Sequence, residues 1–527
     1  MKRARSVESP EATWTGRNRA CNLRASSPAR GEHADAPNCR PCCRGPGAPA
    51  GRRRPGLPRA AAAPARAALV DFNGDGFDDL AVGAPGENTA AGAVNVLYGS
   101  AAGLTGANQT ITQANAEAGD RFGTALAKGD FDADGVTDLA VGASGEGVSG
   151  AGNAGVVSVF YGTEDGLPGS SQSLFQGNPE ELDLFGAAVA SGRFNADGFD
   201  DLAVGAPGET VGGAGFAGAV TVFYGSSGGL GAGGQAIFQA GPEAGDQFGG
   251  ALAADLLNGG MDALGDLAVG APGETVRGAQ FAGAVDVFYG TSSGLPAAPS
   301  AELFQNNPEA NDGFGSALAA GNFGYEDGTP DLAVGAPGET VGTRQGAGAV
   351  SILLGVSGGL APGGPDIVQG PAAGGNPEAG DQFGFSLATG TFQDSALEDL
   401  AIGAPGEDLG ALTDTGVIHL QFGTPAGLSF GGFLSQDTQN VPGQAESGDA
   451  FGGALAAGHY SSNAGVDDEL AVGVPGEDVG SAREAGAVSI LRGLVLGSPP
   501  SGGQLFTQGR VAGGQPELLD NFGAALA

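Results

Sequence analysis

The sequence predicts an all-β fold assembled from seven copies of a four-stranded unit, and three observations predict it. First, 103 of the 527 residues are glycine and only 6% are aromatic, while hydrophobic residues reach 41% and fall in short, regularly spaced runs. That is the composition of many short strands joined by tight turns. Second, the phrase Asp-Leu-Ala-Val-Gly-Ala-Pro-Gly-Glu, or a near copy, begins at Asp79, Asp138, Asp201, Asp266, Asp331 and Asp399, with a seventh version at Glu469. Third, Phe-Gly followed by small and apolar residues recurs at Phe122, Phe185, Phe248, Phe314, Phe383, Phe451 and Phe522, at spacings of 63 to 71 residues. That period suits one four-stranded propeller blade. Glycine at every third residue is absent, which excludes collagen, and single cores rarely grow past roughly 250–300 residues, so a repetitive array suits this length.

Four strands are legible in each unit. In the unit that starts at Phe185 they are residues 185–190, 202–205, 219–224 and 236–239. The alternation in Val220-Thr221-Val222-Phe223 reads as a half-buried strand. Glycines flank these runs, where tight turns or close backbone packing need them.

Paired Phe-Gly and Gly-Ala-Pro phrases around an acidic loop resemble the FG-GAP repeat of integrin α-subunits, in seven copies over residues 69–527. The resemblance implies a seven-bladed β-propeller of four-stranded antiparallel blades set radially about a central channel. The phrase at Asp79 has no Phe-Gly before it, and the last Phe-Gly, Phe522-Gly523-Ala524-Ala525-Leu526-Ala527, has no Gly-Ala-Pro after it. Joining the two completes one blade from the N- and C-terminal segments and removes the sheet edges of an open array. The alternative is an array cut short within an eighth repeat.

The acidic loop between the first and second strands carries the candidate chemistry. In the first repeat Asp71, Asn73 and Asp75 place side-chain oxygens at alternate positions, and Gly76 permits the turn that brings Asp79 to the same centre. With the carbonyl of Phe77 they form the hard oxygen shell that calcium prefers. The second repeat keeps the pattern with Asp130, Asp132, Asp134, the Val136 carbonyl and Asp138. About two Ca²⁺ sites are expected; the other reading is an acid-rich turn capped by its own side chains. A weaker third set is Asn195, Asp197, Phe199 and Asp201, where Arg193 occupies the first ligand position. A fixed positive charge 4 Å from a unit charge costs about 4 kcal/mol at an effective dielectric near 20, so the guanidinium is expected to replace the ion and bridge Asp197 and Asp201. Thr391, Gln393 and Ser395 stand where ligands would precede Asp399, and residues 255–266, 322–331 and 459–469 are irregular; these loops are expected to hold without metal. In this the chain departs from typical integrin heads, whose metal loops lie in later blades.

The net charge of −37 hides two regions: residues 1–66 hold 14 of the 22 Lys and Arg and four acids, which leaves −47 on the rest. So acidic a body disfavours nucleic acid and anionic membranes. Residues 1–66, rich in Arg, Pro and Ala, are expected to be disordered, with the propeller at 67–527. All four cysteines lie in that segment, so the body needs no disulfides, and Cys39-x-x-Cys42 lacks the second half of a zinc site. Met1-Lys2-Arg3 leads into polar residues and not an apolar stretch, so a signal peptide is not evident, although the Ala-rich residues 60–68 resemble the tail of an export signal. No run approaches the roughly 18 apolar residues of a membrane span.

No catalytic apparatus is evident. Gly225-Ser226-Ser227-Gly228-Gly229, Gly290-Thr291-Ser292-Ser293-Gly294 and Gly355-Val356-Ser357-Gly358-Gly359 all match the nucleophile-elbow pattern, but each follows a third strand, where a hairpin wants Gly and Ser. Only His419 and His459 lie in the body, which leaves no persuasive Ser-His-acid set. The expected function is that of an extracellular or cell-surface adhesion module, recognising a protein or matrix partner through loops of varied length such as 210–218, 340–348 and 408–416. A carbohydrate-binding propeller and a non-catalytic part of a larger secreted hydrolase are the alternatives. Against a glycan ligand stands the paucity of aromatics, Trp14 being the only tryptophan and outside the body.

Overall fold

The computed structural model describes residues 70–527, apart from 106–107, 261–262, 326–327, 371–374, 394, 462–466 and 511–515. The segment expected to be disordered lies outside the described residues.

Seven separate antiparallel sheets follow one another along the chain. The third blade shows the pattern: Ala188–Gly192, Asp201–Ala206, Ala219–Phe223 and Gln235–Ile237 pair in sequence order. In the fifth blade two short pieces, Gly359–Ala361 and Asp366–Ile367, share the outer position beside Ala349–Val356. The first blade takes Leu80–Ala84, Ala93–Leu97 and Asn108–Ile111 from the start of the described chain, and its innermost strand is Ala525–Leu526. Val82 faces Leu526, and Ala81 and Ala527 exchange backbone hydrogen bonds at 2.9 and 3.1 Å. The first strands of all seven blades line one central channel of about 280 Å³, walled by small residues with a Leu or Val from each blade.

Second and third strands are buried on both faces. Val220, Thr221, Val222 and Phe223 are all buried, which corrects the half-buried reading of this strand. The reason lies in the architecture: each sheet is sandwiched between two neighbours, so strands of small and apolar residues are covered on both sides. One core cluster joins Val220, Val222 and Ile237 of the third blade to Phe248, Val269 and Phe288 of the fourth. Phe248 and Phe288 meet edge to face at 6.1 Å, as Phe185 and Phe223 do at 6.2 Å one joint earlier.

The two repeated phrases meet at these joints. A Cβ on Gly205 of one blade would stand 2.0 Å from the carbonyl oxygen of Gly249 in the next, and Gly249 itself has φ +88°. The Phe248 N–H donates to the Ala217 carbonyl across the same joint. Glycine is therefore required on one side by space and on the other by backbone conformation. The joint between the last and first blades repeats this geometry, with a Cβ on Gly473 falling 2.1 Å from the Gly523 oxygen and Phe522 N–H donating to Ala485.

Candidate metal loops

Successive strands of a blade run antiparallel, so the loops between first and second strands open on one face of the ring. The loops after Gly-Ala-Pro-Gly-Glu and the linkers between blades open on the other.

In the first loop the Asp71 carboxylate accepts N–H groups from Asp75 at 3.0 Å and Gly76 at 2.7 Å, Asn73 Oδ1 accepts Asp75 N–H at 3.0 Å, and Asp75 Oδ1 accepts Phe77 N–H at 3.0 Å. The second loop repeats the set: Asp134 N–H reaches Asp130 and Asp132, Gly135 N–H reaches Asp130, and Val136 N–H reaches Asp134. The backbone thus draws these oxygens inward around a turn at Gly76 and Gly135, with φ +89° and +92° and nothing within 4 Å of a would-be Cβ. Conformation, and not space, selects glycine there.

The buried end of each loop is the aspartate that opens the second strand. Asp79 accepts N–H groups from Phe72 and Gly99, both at 2.8 Å, and Asp138 accepts them from Phe131 and Gly162. The same two bonds recur at Asp399, whose loop lacks the ligand pattern, from Phe392 and Gly423. This aspartate therefore pins loop to third strand with or without a metal. Burial is the largest influence on Asp79 and Asp138 and pushes both up to about 7 against the pull of those N–H bonds; nearby loop aspartates add to the rise. Burial also raises Asp130 and Asp132.

The structure brings oxygens of Asp130, Asp132 and Asp138 within 4.8 Å of one another. Three hard anionic oxygen donors so close together, each with its proton affinity raised by burial, form a donor set that fits a divalent cation. Asp134, Asp75 and Asn73 stand exposed or half-buried at the rim, and the Phe77 and Val136 carbonyls follow the turn in sequence.

Arg193 in the third loop does not bridge Asp197 and Asp201 as expected. Its Nε lies 2.8 Å from Asp200 Oδ1. Asp197 is occupied by Asn195 Nδ2 and Phe199 N–H, and Asp201 by Phe194 and Gly225 N–H, which leaves Asp200 as the available anion.

Asp200 belongs to a set that sequence reasoning missed. Its second oxygen accepts Asp130 N–H of the preceding blade at 2.9 Å. The residue just before the second strand makes the same bond at other joints: Asp78 to His459 N–H, Glu398 to Asn322 N–H, Asp468 to Thr391 N–H, and the Thr137 hydroxyl to Asp71 N–H. An acidic residue just before the loop's last aspartate, as in the doublet Asp78-Asp79, is its signal in the sequence. The elbow-like segments are turns: Ser226 and Thr291 hydroxyls donate to Gly229 and Gly294 carbonyls. His419 is buried on its strand, edge-on to Phe383 at 5.0 Å.

The FG-GAP repeat family matches residues 63–97, 122–160, 185–223 and 314–353, in the first, second, third and fifth blades. The chain carries FG-GAP repeats in these segments. Integrin alpha-PS5 of Drosophila melanogaster is 39% identical over 149 residues, 26% of this chain and 14% of the integrin. Phosphatidylinositol-glycan-specific phospholipase D of Bos taurus is 33% identical over 168 residues, 30% of this chain and 20% of the phospholipase. Integrin alpha-5 of Xenopus laevis is 32% identical over 148 residues, 26% and 14% of the two chains. This FG-GAP chain thus spans a fifth or less of the length of these relatives, which include both integrins and a phospholipase. No helix among the described residues is long and apolar enough to cross a membrane.

Proposed function

We propose that this FG-GAP propeller is a non-catalytic, calcium-stabilised extracellular binding module that recognises a protein or matrix partner through the face opposite the metal loops. The observation that carries the reading is a pair of exposed phenylalanines at equivalent places in neighbouring blades. Phe216 and Phe281, 44% and 47% exposed, sit in the loops after Gly-Ala-Pro-Gly-Glu. Both have positive φ, +57° and +55°, and both are fixed by their carbonyls, which accept Gln247 N–H and Gly313 N–H from the following linker. The same backbone conformation recurs at Asn153, Asp414 and Glu484 in other blades, so the loop geometry sets it, and what sets Phe216 and Phe281 apart is a large apolar ring turned to solvent. Aromatics so anchored supply contact area at low entropic cost.

Calcium in this reading supplies charge. Asp71, Asn73, Asp75 and Asp79, and Asp130, Asp132, Asp134 and Asp138, would hold one ion each, with the Phe77 and Val136 carbonyls. These residues order the loops through the N–H bonds above and, through Asp71 to Thr137 and Asp130 to Asp200, tie each loop to the next blade. The likeness to phospholipase D supports a second reading, a non-catalytic part of a larger secreted hydrolase, in which the same face would dock a catalytic domain.

Surface-immobilised propeller offered a set of matrix proteins and, in parallel, a glycan array tests the assignment. Protein capture that is lost on Phe216→Ser with Phe281→Ser supports it. A glycan ligand indifferent to those substitutions would favour the carbohydrate-binding alternative.

A further inference from the structure

The first acidic loop carries a reactive pair that metal binding does not use. Asn-Gly occurs twice in the chain, at Asn73-Gly74 and Asn258-Gly259. A glycine after asparagine lets its own peptide nitrogen reach the asparagine Cγ, because no Cβ blocks the approach and the backbone turns freely. The two pairs stand in opposite surroundings. Asn258 is 8% exposed, its N–H and Nδ2 both donate to Asp266 at 2.8 and 3.4 Å, and the Gly259 N–H donates to the Leu256 carbonyl at 3.2 Å. The attacking nitrogen and the amide it would attack are therefore both tied down.

Asn73 is half-buried and Gly74 exposed at the rim of the first loop. Among the described residues the Asn73 side chain bonds to Asp75 alone, accepting its N–H at 3.0 Å and donating to its carboxylate at 3.2 Å, both in contact with solvent. None of the described residues accepts the Gly74 N–H. The nearest atom to a Cβ on Gly74 would be 3.8 Å away, so the space around this peptide is open. The later glycines of the loops differ, since the Gly76 N–H is held by Asp71 at 2.7 Å and the Gly135 N–H by Asp130 at 3.2 Å. The equivalent pairs elsewhere are Asp132-Ala133 in the second loop and Asn195-Ala196 in the third, so only the first loop combines the amide with glycine.

We propose that Asn73 is a site of spontaneous deamidation, a covalent modification that changes the charge of the first loop. The Gly74 nitrogen, its proton lost to solvent base, attacks Asn73 Cγ; the new C–N bond closes a succinimide ring, and the Cγ–Nδ2 bond breaks with Nδ2 leaving as ammonia. Water then opens the ring at either carbonyl, so the balance is amide plus water to carboxylate plus ammonia. Opening at one carbonyl leaves aspartate, which gives this loop the four-carboxylate set of the second, Asp130, Asp132, Asp134 and Asp138. A gain of one negative charge acts on a cation site directly, since ligand charge count tunes calcium affinity. Opening at the other leaves isoaspartate, whose extra backbone methylene displaces the Asp75 and Gly76 N–H groups from Asp71. Asp71 also ties the first blade to the second, donating its N–H to the Thr137 hydroxyl at 3.0 Å and accepting the Thr137 N–H at 2.9 Å, so this product loosens that joint.

The test incubates the full folded chain in warm, mildly alkaline buffer containing EDTA and follows its peptides by mass spectrometry. The peptide holding Asn73 is expected to gain the mass of an amide-to-carboxylate exchange about tenfold or more faster than the peptide holding Asn258, whose hydrogen bonds must first break. Gly74→Ala is expected to keep the amide over the same interval, and Ala133 holds the equivalent place in the second loop at φ +57°, so the loop accommodates this residue. Asn73 keeping its amide, gaining mass no faster than Asn258, or reacting equally fast in Gly74→Ala overturns the proposal. A parallel incubation in calcium chloride rests on the calcium reading above, in which an ion on Asn73 Oδ1 holds the side chain away from Gly74 and slows the gain. Equal rates in the two buffers count against calcium in the first loop and not against the modification, so the two failures are distinguishable.

Discussion

Two glycines of the third blade separate two demands on the residue. At Gly205 a Cβ would stand 2.0 Å from the Gly249 carbonyl, and backbone on both sides cannot give way. At Gly198 nothing lies within 4 Å and only φ +92° opposes a side chain. Gly205→Ala is therefore expected to cost on the order of 3 kcal/mol or more, against roughly 1–2 kcal/mol for Gly198→Ala. Denaturant unfolding of the two variants checks this, and equal losses would contradict it. The Phe-Gly and Gly-Ala-Pro phrases were visible in the sequence, but their purpose was not, because the two glycines that meet lie in different repeats. Arg193 was misplaced for a related reason: spacing identified the loop acids, while only the fold shows that Asp197 and Asp201 are already bound by backbone N–H groups.

At the scale of strands and linkers, the period located the blades and the strand positions, whereas burial on both faces of a sheet follows from neighbours that periodicity within one strand does not report. The hydrogen bonds from a linker glutamine to the glutamate of the blade it enters, such as Gln113 Nε2 to Glu146 and Gln508 Nε2 to Glu87, are not visible in the sequence because their members are separated by 33 to 41 residues, or 421 at the ring closure, in polar stretches that read as loop. They carry a pH signature. Glu209, Glu274 and Glu407 are each pushed up to about 7 from 4.5, by burial first and then by the neighbouring aspartate. The folded state thus binds more protons than the unfolded chain between about pH 4.5 and 7, so stability is greatest at the acid end of that window and falls as pH rises through it. In EDTA, melting temperature is expected to decline from pH 5 to pH 8. A rise over that interval would contradict the assignment of these glutamates as buried partners of aspartates.

For the whole molecule, ring closure was legible from a missing Phe-Gly at one end and a surplus one at the other. The structure adds that the closing joint has the same glycine contact and the same backbone bonds as its neighbours. Deleting 522–527 strips the first blade of its inner strand and removes Phe522, which is fully buried between the last and first blades. Removing such a side chain alone costs about 3–5 kcal/mol, and the deletion is expected to lower the unfolding midpoint of the entire ring; an unchanged midpoint would show that the ring does not depend on this joint. The alternating oxygens of the first two loops are visible in the sequence, since they need only every second residue and one glycine, and a body of net −47 would give bound cations a further electrostatic reward. At a calcium concentration one hundred times the dissociation constant, each site adds about 2.7 kcal/mol, and less where affinities are the 10⁻⁴ to 10⁻³ M of extracellular modules. The most direct measurement is a calorimetric calcium titration of the wild-type chain beside Asp75→Ala with Asp134→Ala. The double substitution is expected to remove two sites and much of the calcium-dependent rise in melting temperature, whereas an unchanged site count, or no calcium binding by the wild type, would contradict calcium loops in the first two blades.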